Sequence, residues 1–72
     1  MKQVTYQNNL KNLRTARGLK QKDVAVLLGL HCQDRLSHWE TGRSMPNIPD
    51  LLKLCDIYGV GLSDLYVKRI SN

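Results

Sequence analysis

The stretch from Gln21 to Glu40, QKDVAVLLGLHCQDRLSHWE, limits what this chain can fold into more than any other part of it. Val24, Ala25, Leu27 and Leu28 follow helical spacing, and Gly29 stands where a helix ends in the left-handed conformation favoured at a carboxyl cap. A polar segment then leads to Leu36 and Trp39, three residues apart and so on one side of a second helix. The spacing predicts two short helices and a tight turn. Ala25, at the fifth place of the first helix, lets the second cross it closely, and Gly29 four residues later supplies the positive φ such a turn needs.

Around the two apolar anchors of the second helix lie Gln33, Asp34, Arg35, Ser37 and His38, all able to hydrogen-bond and none needed for a core. Such a face suits base edges in a major groove, where Arg pairs with guanine, Gln with adenine, and Asp accepts from cytosine. The same residues equally describe an ordinary solvated helix face.

Beyond this stretch the chain holds Leu10, Leu13, Arg14 and Gly18-Leu19, then Gly42, Pro46, the run LLKLC and Gly59-Val60. Together with Gln21, Ala25, Gly29 and Trp39-Glu40, these make residues 9 to 66 resemble the Cro and lambda-repressor type of helix-turn-helix protein, the Xre family. One departure is an extra residue between Leu30 and Glu40, so positions on the second helix of the motif are best counted back from Leu36 and Trp39. The resemblance implies an all-α, five-helix, lambda-repressor-like domain that binds double-stranded DNA and regulates transcription, most simply as a repressor. Gln33, Asp34, Ser37 and His38 would face bases, while Lys20, Gln21, Arg35, Arg43 and Ser44 would meet the DNA backbone. It also implies that Arg14 pairs with Glu40 inside the fold. A homodimer on a symmetric operator is expected, with Tyr66, Val67 and Ile70 as one source of subunit contact and completion of the monomer core as the other use of this end. The alternative function is a protein-interaction module, such as an antitoxin or a mobile-element regulatory partner.

With 72 residues the chain has room for one small core, and a domain of this size buries only about 60% of its unfolded surface. Hydrophobic residues at 42% and charged residues at 24% describe a globular chain, and no apolar run approaches a membrane span. No signal pattern opens the sequence, which points to a cytoplasmic location. The net charge is +5, and residues 1 to 22 supply six cations and no acid, a footprint suited to phosphates. Cys32 and Cys55 are too few and too far apart for a zinc site or a disulfide framework, and Cys55 reads as a small core residue. Neither His31 nor His38 has a second ligand at metal spacing. Ser37 and His38, adjacent on a helix, point in different directions. The sequence therefore suggests neither catalytic residues nor a metal or other cofactor.

In chain order, residues 1 to 5 read as a loose arm, 6 to 67 as the domain and 68 to 72 as a frayed polar tail. Tyr6, Leu10 and Leu13 mark a first helix ending near Gly18. Asn47 is placed to cap a fourth helix with Pro49 in its first turn and Asp50 three residues on, and Ile48, Leu51, Leu52, Cys55 and Tyr58 follow as its expected core stripe. Gly61 to Val67 reads as a short fifth helix contributing Leu62, Leu65 and Tyr66.

Overall fold

The computed structural model describes residues 2 to 71, so Met1 of the expected arm and Asn72 of the expected tail lie outside the described residues. The motif helices form where the pattern places them. Helix α2 (Gln21–Leu28) opens on Lys20, whose backbone N–H donates to the Asp23 carboxylate at 2.9 Å, and it buries Val24, Ala25 and Leu28. Leu27, expected on that stripe, points outward beside Val26. At Gly29 the chain turns at φ +77°, and the Leu30 N–H returns to the Ala25 carbonyl at 2.9 Å. Helix α3 (Asp34–Glu40) then crosses α2 with Leu36 and Trp39 inward.

Helix α1 (Leu10–Ala16) precedes this pair, and helices α4 (Ile48–Tyr58) and α5 (Leu62–Leu65) close the core. Asn47 caps α4, its side-chain oxygen accepting the Asp50 N–H at 2.9 Å, and Pro49 sits in the first turn where its missing N–H costs nothing. The buried side of α4 runs through Leu51, Leu54, Cys55 and Tyr58, spaced i, i+3, i+4, i+7. Ile48 and Leu52, expected in that stripe, lie on the other side at 71% and 58% exposure. Burial pushes the Cys55 thiol above its ordinary pKa, with Asp56 adding to the shift. The fully buried set is Leu10, Val24, Leu36, Leu54 and Leu65, joined by Trp39, Leu28 and Tyr58. No described helix is long and apolar enough to cross a membrane.

The fold is not purely helical. Strand β1 (Gln3–Asn8) pairs antiparallel with strand β2 (Tyr66–Ser71), in the register Val4 to Ile70, Tyr6 to Lys68 and Asn8 to Tyr66. Three expectations change. Tyr6 is a strand residue and α1 begins only at Leu10; residues 3 to 5 and 68 to 71 are ribbon; and Tyr66 and Val67 belong to β2, with α5 confined to one turn. The physical reason is that Val4, Thr5 and Tyr6 in one segment and Tyr66, Val67 and Ile70 in the other are residues that favour extended backbone, and each segment supplies the other's hydrogen bonds. A six-residue strand is about 20 Å long, and the molecule measures 43 × 22 × 20 Å, so the ribbon projects from the helical body.

Tyr58 is 2% exposed, and its hydroxyl finds no hydrogen-bond partner among the described residues. Burial, reinforced by Glu40, pushes its pKa up to about 12. Below the ordinary value near 10 both folded and unfolded chains hold the phenolic proton. Above it the unfolded chain releases the proton while the folded one keeps it, so stability falls as pH rises toward 12. The loss should reach about 2 to 3 kcal/mol at the top of that window. Tyr58→Phe should match or exceed the parent by up to about 1 kcal/mol at neutral pH and lose less at pH values around 11, as read by urea unfolding at both.

Candidate nucleic-acid interface

Helix α3 is held from one side only. Leu36 at 0% exposure and Trp39 at 3% anchor it in the core, and on the opposite side Asp34, Ser37, His38 and Thr41 recur at i, i+3, i+4 and i+7. Asp34 and Thr41 are exposed, and Ser37 and His38 are half-buried. Gln33 is exposed at the cap position before the helix. Arg35 stands on the flank, where it walls a notch of about 340 Å³ together with Gly29, His31 and Cys32. Thr41 was not among the sequence candidates, although counting seven residues on from Asp34 finds it. Its hydroxyl donates back to the Ser37 carbonyl at 2.9 Å.

The turn after α3 brings two more candidates close to this face. The backbone N–H groups of Arg43 and Ser44 both donate to the His38 carbonyl, at 2.9 and 3.3 Å, and an Arg43 guanidinium nitrogen lies 3.5 Å from His38 Nε2. Arg43 thus joins Gln33, Asp34, Ser37 and His38 on this strip, while Ser44 lies on the flank beside Arg35 and Trp39. Lys20 is exposed at the amino end of α2. The N-terminal cluster of cations divides: Arg14 and Arg17 serve the fold, whereas Lys2, Lys11, Lys20 and Lys22 remain exposed. Arg17 donates through Nε to the Tyr58 carbonyl and lies 5.9 Å from the centre of the Tyr58 ring, within cation–π range.

What fixes the strip is an ion pair behind it. Arg14 Nε donates to Glu40 Oε2 at 2.7 Å and Arg14 Nη2 to Glu40 Oε1 at 3.0 Å, with the side chains 10% and 2% exposed. Arg14 Nη1 also donates to the Leu19 carbonyl at 2.9 Å, and the Gln21 side-chain amide donates to Glu40 Oε1 at 3.0 Å. The hydrogen bond to Glu40 raises the Arg14 pKa against the opposing effect of burial, so the guanidinium stays charged. The amide of Gln21, placed by sequence reasoning at the DNA backbone, is thereby turned inward to Glu40.

Asn8 completes the frame and was not foreseen. Its side-chain amide donates to the carbonyls of Trp39 and Glu40 at 3.2 and 3.0 Å, while its oxygen accepts the Leu10 N–H at 3.0 Å. One side chain therefore starts α1 and satisfies carbonyls at the end of α3. No local signal could reveal this, because the partners are more than thirty residues apart. Among the described residues, no three His, Cys, Asp or Glu side chains gather as metal ligands.

A helix anchored on one side, presented across a glycine turn by the helix before it, defines a helix-turn-helix domain. This chain belongs to that family: the model of a helix-turn-helix domain matches residues 8–65, in agreement with the resemblance to Xre-type proteins. No curated protein sequence matches it. Among solved structures it is similar to a transcriptional regulator from Listeria innocua, at 25% identity and a TM-score of 0.76, over 85% of this chain and 58% of the other. The present chain thus spans little more than half of that regulator's length.

The ion pair makes a stability prediction. Arg14→Ala leaves the Glu40 carboxylate buried without its partner and should cost about 3 to 5 kcal/mol, whereas replacing both residues with Leu should recover most of that loss. Urea unfolding of the two variants measures the difference.

Proposed function

We propose that this domain is a sequence-specific DNA-binding transcriptional regulator, acting as a repressor by occupying its site. The observation that carries the reading is the one-sided anchoring of α3: Leu36 and Trp39 are buried while Gln33, Asp34, Ser37 and His38 face away from the core. In this reading α3 enters the major groove with those four residues toward base edges, and Thr41 extends the same row. Lys20, Arg35, Arg43 and Ser44 meet phosphates on either side, and Gln21 contributes through its backbone N–H at the amino end of α2. Similarity to a transcriptional regulator from Listeria innocua supports regulation as the biological role.

One module of this size covers about 600 to 1,000 Å² of DNA, so tight binding calls for two copies on half-sites about one helical turn apart. Specificity and affinity then separate by residue. Gln33→Ala should reduce discrimination at one base position by about 1 to 3 kcal/mol. Arg43→Ala should weaken binding to all sequences alike and reduce the salt slope by about one. Selection of bound duplexes from a random pool, followed by isotherms on selected and scrambled sites at several salt concentrations, tests both. Failure to enrich any sequence removes the reading.

A further inference from the structure

The carbonyls at the carboxyl end of α3 need donors from outside the helix, and they are met from two directions. The turn that follows serves Ser37 and His38: the Ser37 carbonyl accepts the Thr41 N–H at 3.0 Å, and the His38 carbonyl accepts those of Arg43 and Ser44. Trp39 and Glu40 depend on a side chain far away in sequence. The Asn8 amide donates to their carbonyls at 3.2 and 3.0 Å; Trp39 has one other donor, the Gly42 N–H at 3.3 Å, and Glu40 has none among the described residues. Asn8 is half-buried and itself fixed. It closes β1 opposite Tyr66, its side-chain oxygen accepts the Leu10 N–H, and the N–H of Asn9 donates to the Leu65 carbonyl at 2.8 Å. The donor that finishes α3 is thus mounted where both strands of the ribbon join the helical body.

We infer that Asn8 is a positioning residue for base recognition: by holding the Trp39 and Glu40 carbonyls it sets the last turn of α3, and with it the discrimination made by His38 and Thr41 but not that made by Gln33. Glu40 is gripped twice, and the two grips differ. The ion pair ties it to Arg14 through a side chain with several rotatable bonds, whereas the Asn8 amide holds the peptide groups themselves. Helix α3 has seven residues and is about 10 Å long, so its two ends are held separately. The start follows the turn at Gly29 and carries Gln33 and Asp34; the finish carries His38 and leads through Thr41 into the turn that places Arg43 beside the His38 ring. Without the amide, the Glu40 carbonyl loses its donor and the last turn frays, moving His38, Thr41 and Arg43 while Leu36 keeps the first turn in place.

The consequence for base recognition rests on the DNA-binding reading; the grip on α3 does not, and its test has one arm without DNA. Asn8→Ser removes the reaching amide but keeps a hydroxyl oxygen for the Leu10 N–H two residues on. In the free full chain, exchange of the Thr41, Arg43 and Ser44 amide protons should quicken about tenfold, the worth of one or two net hydrogen bonds. The Leu30 amide proton, bonded to the Ala25 carbonyl in the turn before α3, should keep its rate. On selected duplexes altered one base pair at a time, the variant should lose about tenfold in discrimination at the position that His38→Ala assigns to His38, and keep it at the position that Gln33→Ala assigns to Gln33. Asn8→Asp, which sets a carboxylate against the two carbonyls, should give the same pattern more strongly; if it does not fold, Asn8→Ser still decides. Unchanged exchange at Thr41, Arg43 and Ser44 overturns the inference. So does a loss that is equal at Leu30 and at both base positions, the mark of a residue that only stabilises the fold. A parent chain that enriches no duplex counts against the DNA reading, while the exchange rates still decide whether Asn8 holds the end of α3.

Discussion

The Arg14–Glu40 pair is the constraint on which the arrangement of the other elements depends. Two charges with side chains 10% and 2% exposed are tolerable only if nearly every polar atom finds a partner. Meeting that demand recruits the Leu19 carbonyl and the Gln21 amide. The residues drawn in belong to α1, the turn after it, the first position of α2 and the last of α3. Satisfying one buried charge thereby fixes where α3 ends relative to two other helices. The apolar core holds the helices together, but an oily contact between Leu36 and its neighbours does not by itself specify rotation. The directional bonds to Glu40 do.

The helices were legible in the sequence because their signals are local. Ala25, Gly29, Leu36 and Trp39 are enough to place α2, the turn and α3, and Asn47 with Pro49 and Gly59 punctuates α4. The face of α4 was less so: in a run as apolar as LLKLC, several helical stripes compete, and Ile48 and Leu52 fit one as well as Leu51 and Leu54 fit another. Packing against α2 and α5 decides between them. The ribbon escaped because its two strands stand at opposite ends of the chain. Val4, Thr5 and Tyr6 carry strand propensity, but strand preference needs a partner, and no short-range pattern says that Gln3 faces Ser71.

The strip along α3 was likewise readable from periodicity, since which residues oppose Leu36 and Trp39 follows from helical geometry alone. The inward turn of Gln21 and the grip of Asn8 on the end of α3 were not, because both depend on tertiary neighbours. The basic N-terminal third illustrates the same limit. Counting charges gives six cations, but Arg14 and Arg17 spend theirs on Glu40 and on the Tyr58 carbonyl and ring. A charge count measures what a surface could offer, and the hydrogen bonds determine what it does offer.

The pairing of the outermost strand residues has a topological consequence. Gln3 and Ser71 are register partners, so their Cα atoms lie only about 5 Å apart at the tip of the ribbon. A peptide of a few residues bridging position 3 to position 71 would close this domain into a ring without disturbing any helix. New termini could then be opened in a surface loop, such as the one around Ser44, and the rearranged chain would reach the same architecture by a different order of assembly.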